Sequence, residues 1–360
     1  MDDRFDWRTE SAPGLPGAAS GREASALRAM IALGALLFAA VPALVAPPRA
    51  GASCGSASCP LDGSAYGAPR RAFSFDLSFQ TIDQDRLKTG TRGAQVGALA
   101  SPEDEVRTLN RSVTARAVAS LSPRWTLSAS VPYVHRLHRH IANEPGGPEP
   151  FEWRYSGLGD VMLLGGWTAL GPSPERLGPG SGLSVTLRAG LKAPTGLRHV
   201  PAVQGEEPEP SARPGTGSWD FVAGAHAMVQ PAARTLAGTR VALPVFATVL
   251  ARANGRGTEA YRVGNNLEAS LGASYPLTPV LRLQGQLNAR LRARDDVGET
   301  DALRDNTGGT AVYASPGLRL DVGRIVSFSG YVQIPIYERV NRIQLVAPAL
   351  LWFGASYRLP

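Results

Sequence analysis

Residues 280–294 read Val-Leu-Arg-Leu-Gln-Gly-Gln-Leu-Asn-Ala-Arg-Leu-Arg-Ala-Arg. Leu281, Leu283, Gly285, Leu287, Ala289, Leu291 and Ala293 are apolar or small, and Arg282, Gln284, Gln286, Asn288, Arg290, Arg292 and Arg294 between them are polar. A period of two sustained this long predicts a β-strand with one oily and one wet face. At ~3.3 Å per residue it extends for about 45 Å. Few soluble sheets need that length. A membrane-spanning strand needs about 9–11 residues and a barrel can carry its strands beyond the bilayer. The stretch points to a transmembrane β-barrel.

The same alternation recurs along the chain. It predicts about twelve strands, at 73–80, 110–121, 125–136, 159–170, 183–193, 218–230, 240–252, 262–275, 280–294, 310–322, 326–337 and 345–359. Some are clean: Leu183, Val185, Leu187, Ala189, Leu191 and Ala193 face away from Ser184, Thr186, Arg188 and Lys192. Others are mixed, with Met162, Leu164, Phe246 and Leu250 on inward faces. An even number of antiparallel strands closes into a ring without edges, which hydrocarbon requires because an unpaired backbone amide there costs several kcal/mol. The expected fold is therefore all-β, an up-and-down antiparallel barrel. A soluble β-sandwich with ordinary core packing is the competing reading.

Connection lengths test this independently. With both termini in the periplasm, odd-to-even connections are external and long, and even-to-odd turns are short. The external set is 81–109, 138–156, 195–216, 253–260, 295–309 and a short link at 338–344. Ser122–Arg124, Pro276–Pro279 and Gly323-Arg324 are tight turns, while 171–182 and 231–239 are intermediate. The acidic loop at 197–214 looks mobile. Tyr133, Trp167, Trp219, Tyr275, Trp352 and Tyr357 suit interfacial girdles.

The chain has 360 residues, is 43% hydrophobic and carries a formal charge of +7. That is too apolar and too periodic for a disordered chain. Its basic residues are spread through alternating strands rather than gathered in one run, which argues against nucleic acid as a partner. Arg22 and Arg28 precede an apolar run, Ala29–Ala46, and Ala50-Gly51-Ala52 supplies a small-x-small cleavage site. Residues 1–52 are thus expected to be an export signal, with an unusually long polar start, and 53–72 a periplasmic segment ahead of a barrel at 73–360. An uncleaved anchor is the alternative. A lipoprotein at Cys54 fits poorly, with Gly51 and Ser53 at the flanking positions. Cys54 and Cys59 are close enough to close a local disulfide in an oxidising compartment, with free thiols and then a metal or redox role as the alternatives.

No nucleophile elbow, P-loop or dinucleotide fingerprint is present, so no catalytic residue, cofactor or resident metal is expected. His138 and His140 share one strand face at a spacing that can hold a metal, but a solvated loop base is the simpler reading. Ser218 and His226 fall inward, away from the lipid face that a phospholipase pair would need. The informative set is the inward charges and amides: Arg116, Arg188, Lys192, Arg240, Arg252, Arg282, Gln284, Gln286, Asn288, Arg290, Arg292, Arg294, Arg319 and Arg358, with Asp76, Asp160, Asp220, Glu268 and Asp321 as acidic partners. Charge inside a barrel must be paired or hydrated. Either arginine–carboxylate ladders brace the lumen, or a watery path carries excess positive charge that favours anions. Arg290, Arg292 and Arg294 form a basic run at the external strand end. It could bind lipopolysaccharide phosphate or be a solvated rim.

Several strings resemble a known family. Trp153-Arg-Tyr-Ser-Gly-Leu-Gly-Asp160, Leu191-Lys-Ala-Pro-Thr-Gly196, Gly215-Thr-Gly-Ser-Trp-Asp220, Ser315-Pro-Gly317 and Val332-Gln-Ile-Pro-Ile-Tyr337 are similar to segments of outer-membrane barrels of the phenol-degradation meta-pathway transporter-like family. The resemblance covers about residues 73–360. It implies an outer-membrane barrel that passes small, hydrophobic or aromatic solutes, with outer-membrane lipid, lipopolysaccharide and the barrel-insertion machinery as partners. A structural or surface-binding barrel with a plugged lumen is the alternative. The chain departs from the family at its end: Tyr357-Arg-Leu-Pro360 sets Leu359 where an aromatic residue is expected, which bears on insertion.

Overall fold

A computed structural model describes residues 73–99, 103–171, 182–231, 234–236, 239–241, 243–297, 304–323 and 325–359. The expected export signal and the Cys54–Cys59 pair lie outside the described residues. The strands are β1 Phe73–Gln84, β2 Arg86–Gly90, β3 Arg92–Ala94, β4 Glu103–Ser120, β5 Trp125–Glu144, β6 Gly147–Leu158, β7 Val161–Leu170, β8 Gly182–Ala193, β9 Asp220–Gln230, β10 Arg234–Leu236, β11 Thr239–Val241, β12 Val245–Asn254, β13 Asn266–Pro276, β14 Leu281–Arg292, β15 Gly309–Val322, β16 Val326–Val346 and β17 Leu350–Leu359.

Twelve of them make the wall. Around the ring they run β1, β4, β5, β7, β8, β9, β12, β13, β14, β15, β16 and β17, each antiparallel to its neighbours. The ring closes between the chain's own ends, from Phe73 opposite Leu359 to Ile82 opposite Leu350. Each alternating segment read from the sequence corresponds to one wall strand.

The register keeps the two faces apart. On β13 and β14, Leu271 pairs with Leu287 and Ala273 with Gly285 on the outside, while Ser270 pairs with Asn288 and Ser274 with Gln284 on the inside. Outward side chains such as Leu77, Leu127, Leu163, Leu187, Leu287 and Phe353 are exposed. An apolar surface continuous around a closed sheet is a lipid-facing belt. On β5 the belt runs from Trp125 to Tyr133, about 26 Å along the strand. Trp125, Trp167, Tyr275 and Tyr357 ring the belt at the end bearing the termini, and Tyr133 and Trp219 at the other end.

Above the belt the outer surface turns charged. Arg107 pairs with Asp83 at 2.6 Å, and Glu152 sits between Arg139 and Arg154. Such pairs belong in water, so β4, β5 and β6 rise out of the membrane here. The stretch expected as a loop at 138–156 is this β5–β6 hairpin, with Ile141 opposite Pro150 and His138 opposite Trp153. Likewise 338–344 is strand, and the link there is 347–349. A register shift between Val340 and Gln344, with Arg342 at φ 33°, reverses side-chain parity and hides the strand from a period-two reading.

Two further expectations change. Trp352 is not a girdle residue. It points inward opposite Tyr331 and Gln80, with the Tyr331 ring 5.7 Å away, because Leu351 and Phe353 occupy the outward positions of β17. Arg240 is not on a wall strand. β12 starts only at Val245, because Pro244 has no amide to donate and offers just its carbonyl, to Ser274 N at 3.1 Å. Arg240 belongs to the separate β10–β11 hairpin, and its side chain lies outside the described residues.

The belt generates a direct test. Leu287→Arg puts a charge on the lipid face near mid-barrel and should cost about 2–4 kcal/mol, read as a lower denaturant midpoint for refolding into lipid vesicles. Equal midpoints for the variant and the wild type would place Leu287 out of the hydrocarbon.

Candidate functional site

The lumen has two unlike sides. Along β13–β16 it is filled. Ser270, Gln284, Gln286, Asn288, Ser315, Tyr331 and Gln333 are all almost fully buried. Asn288 donates to Ser270 Oγ at 3.0 Å and to Gln286 Oε1 at 3.2 Å, and accepts from Ser315 Oγ at 2.6 Å. Gln333 donates to Ser315, and Tyr331 to Gln284. Buried amides need such partners, and linked ones hold each other in place. Gln284, Gln286 and Asn288 of the opening strand are therefore bracing groups. Nearer the termini Asp321 takes both Arg319, at 2.8 Å, and Arg282, at 3.2 Å. Arg116 sits on the inward register opposite Asp76, and Arg188 opposite Gly224.

A loop enters from the other end. Residues 194–219 join β8 to β9, and their first and last turns are tied to the wall by one polar knot. Asp160, in the break between β6 and β7, accepts from Lys192 Nζ at 2.7 Å, Gly196 N at 2.9 Å, Thr216 N at 3.0 Å and Thr216 Oγ1 at 2.9 Å. Lys192 also reaches Asp220 Oδ2 at 3.0 Å, and Ser218 donates to Asp220 Oδ1 at 2.7 Å. The backbones must meet for this to happen. A Cβ on Gly196 would stand 2.7 Å from Gly159 C and 2.8 Å from Gly215 Cα, and one on Gly215 would stand 2.5 Å from Gly196 C. Three of the sequence strings noted above, separated along the chain, thus converge on one point.

Beyond the knot the loop crosses the opening. Trp153 Nε1 donates to Glu206 O at 3.0 Å, and both Tyr155 Oη and Arg136 Nη1 donate to Ala212 O. Arg213 donates to Pro208 O at 2.8 Å and to Glu259 at 2.7 Å. Val200, Ser211, Ala212 and Arg213 are buried. The acidic loop, expected to be mobile, is packed, because β5 and β6 supply an aromatic and cationic wall for it.

Beneath the loop lies a chamber of about 340 Å³. Its lining includes Asp160, Lys192, Asp220, Glu268, Arg290 and Arg292 of the sequence-predicted set. In the basic run, Arg292 at the end of β14 pairs with Asp295 at 2.6 Å, and Arg294 just beyond it pairs with Asp305 at 3.4 Å. The lining also includes Arg136 and Arg213. Arg136 keeps the inward parity of β5, a usable signal; Arg213 sits in a loop without periodicity.

His138 and His140 are buried above the membrane belt rather than solvated. Trp153 stacks on His138 at 5.6 Å and meets His140 edge-on at 4.8 Å. Among the described residues no group of three or more ligands could hold a metal. Burial, aided by the neighbouring His140 and Arg136, pushes the His138 imidazole down to about 3, and burial takes His140 down to about 4. Burial beside the Glu103 carboxylate pushes Glu209, in the loop, up to about 7.

No protein-family profile matches the chain, and no curated protein sequence does. Solved structures do. An outer-membrane channel from Pseudomonas putida F1 superposes with a TM-score of 0.54 at 14% identity, over 82% of this chain and 98% of that one. The transport unit of the autotransporter AIDA-I from Escherichia coli gives 0.40 at 10% identity, over 80% and 90%. The Pseudomonas putida toluene transporter TodX gives 0.32 at 9% identity, over 86% and 94%. The last two are too distant in geometry to carry an argument. The first establishes a common fold: an outer-membrane-type barrel.

Two outcomes are expected. Lys192→Met leaves Asp160 and Asp220 facing each other without a counter-charge, and should destabilise the barrel by about 3–5 kcal/mol; the denaturant midpoint and protease cleavage within 197–214 read the effect. The histidines add a pH dependence. At about pH 5 they stay neutral in the folded barrel while the unfolded chain binds protons, so their contribution is full above about 6.5 and is lost as pH falls from there toward the folded values. Glu103, Glu105, Glu206, Glu209 and Arg136 face the same cluster, with Glu105 3.8 Å from His138 and Glu103 3.5 Å from His140. The drop in stability between about pH 7.5 and about pH 5 should be smaller in the His138→Gln, His140→Gln double variant than in the wild type. An equal drop would refute it.

Proposed function

We propose that the protein is an outer-membrane channel for small solutes, with a bore set by the loop at 194–219. The observation that carries this reading is the chamber itself. A space of about 340 Å³, lined by charged, polar and apolar side chains, lies inside a wall whose outside is apolar, beneath an inserted loop rather than filled by packed core residues. Pores of this kind select by bore, by lining groups and by electrostatic barriers. The fold shared with a Pseudomonas putida channel is consistent with it. We place residues 1–52 as the export leader and 53–72 in the periplasm, with the long connections outside the cell. The strings around Asp160, Lys192 and Gly215 support membership of the phenol-degradation meta-pathway transporter-like family, with hydrophobic or aromatic solutes as cargo.

One observation favours a second reading. The hydrogen-bonded side of the lumen at β13–β16 and the knot at Lys192 brace the interior as a plug would. Conductance separates the two. A purified barrel, shown to be folded by its heat-dependent gel mobility, should give discrete current steps in planar bilayers. Replacing residues 199–212 with a short Gly-Ser linker should enlarge those steps several-fold. A folded barrel that stays silent in both forms would establish the plugged reading instead.

A further inference from the structure

The charges that line the chamber are taken up among themselves. Lys192 holds Asp160 at 2.7 Å and Asp220 at 3.0 Å, so one ammonium meets two carboxylates. Arg252 of β12 and Arg290 of β14 both act on Glu268, so there two guanidiniums meet one carboxylate. Arg292 is matched by Asp295, and Arg213 by Glu207 and Glu259. Arg136 donates to Asn110 Oδ1 and Ala212 O. Nearer the termini Arg116 stands opposite Asp76. Neither sign prevails, and the charged groups have partners in the protein.

Four uncharged lining groups differ. Gln80 of β1, Ser112 and Thr114 of β4 and Ser130 of β5 face the chamber half-buried. None of their side chains makes a hydrogen bond with a described residue. Across the lumen, by contrast, Ser270, Asn288 and Ser315 are buried and bonded to one another. The register gathers the free groups. Gln80 stands opposite Ser112 and Ser112 opposite Val134, while Thr114, the next inward position toward the termini, stands opposite Pro132. Ser130 stands opposite Met162. Opposite side chains on a sheet are about 5 Å apart and successive ones on a face about 7 Å, so one small molecule reaches several of these groups together with the apolar surface of Pro132, Val134 and Met162. The volume, about 340 Å³, is at the small end of ligand pockets, which run about 300–1,000 Å³.

We propose that the β1–β5 wall of this chamber binds a small uncharged molecule with a hydroxyl or amide head and a compact apolar body, the head on Gln80, Ser112 and Thr114 and the body against Pro132, Val134 and Met162. The inference rests on the channel reading for access to the chamber. An amide and two hydroxyls can each donate and accept, so they match a head that does both. A molecule of the same shape without that head strips water from these groups and returns nothing, which is how a site built around hydrogen bonds rejects such an analogue. An ion of the same shape loses its hydration on entry, and a lining in which neither sign prevails offers it no compensating charge. The uncharged polar molecule alone loses little and gains both contacts.

The experiment is equilibrium dialysis of labelled cyclohexanol against the full barrel in nanodiscs of uncharged lipid, with empty nanodiscs in parallel to subtract uptake by lipid. Cyclohexanol should bind saturably. Unlabelled cyclohexanol should compete about tenfold better than methylcyclohexane, which lacks the head, and than cyclohexanecarboxylate or cyclohexylammonium, which charge it. Ser112→Ala with Thr114→Val removes two hydroxyls with little change of shape and should weaken binding about tenfold, while Ser184→Ala, outside the chamber, should leave it unchanged. Should the double variant fail to refold, as read by heat-dependent gel mobility, Gln80→Met removes the amide alone and should weaken binding several-fold. No saturable binding, equal competition by either ion or by methylcyclohexane, or binding unchanged in the chamber variants overturns the inference. Conductance of the same preparation keeps the two readings apart. A barrel that conducts without binding cyclohexanol loses the site and keeps the channel, and one that binds without conducting keeps the site and loses the channel.

Discussion

Everything in this molecule follows from the need to hydrogen-bond its backbone without water. In hydrocarbon each unpaired amide costs several kcal/mol, so the sheet has to close. It does so by pairing the first described strand with the last, Phe73 with Leu359. Closure then divides the side chains into two populations. The outward ones meet lipid and are apolar. The inward ones are enclosed, and those that are polar must find partners among themselves or face water. The lumen does both, with an amide and hydroxyl network on one side and a chamber on the other.

The same logic explains the loop. Above the belt, water is available again, and the wall need not be complete. β6 leaves β7 at Gly159-Asp160, and the segment from Gly196 to Gly215 fills the space beside it: Leu197 N donates to Leu158 O and Gly215 N to Leu197 O, both at 2.8 Å. Asp160 stands at that junction and gathers the donors that the break exposes. A buried carboxylate with an ammonium and several hydrogen bonds is satisfied, whereas the same carboxylate alone would not be tolerated. The knot therefore exists because the wall ends there.

How much of this could be read beforehand depended on periodicity. Strands that keep strict alternation, such as Gly182–Ala193 and Leu281–Arg292, were visible because lipid enforces their outward face. Legibility failed where that enforcement stops. The β5–β6 hairpin lies above the belt, where Arg139 and Glu152 on its outside erase the contrast between faces. The far end of β16 slips by a bulge. The inward charges were visible as types but not as pairs: nothing in the sequence says that Arg292 is held by a carboxylate three residues on, or that Lys192 reaches both Asp160 and Asp220. The convergence of Gly159, Gly196 and Gly215 was present only as three separate strings, because contact between distant segments leaves no local pattern.

The closing seam has a consequence for how the molecule comes into being. Its partners stand at opposite ends of the described residues, so the pairing on which the ring depends carries the greatest sequence separation that those residues allow. Contacts of that kind are slow to form, since the loop entropy is lost before the contact is gained. Until β17 arrives, β1 is an open edge, and an open edge invites other chains. The ring is therefore exposed to other chains for as long as this seam is unmade. Tyr357-Arg358-Leu359, which pair with Phe75-Ser74-Phe73, are part of the seam that removes that edge.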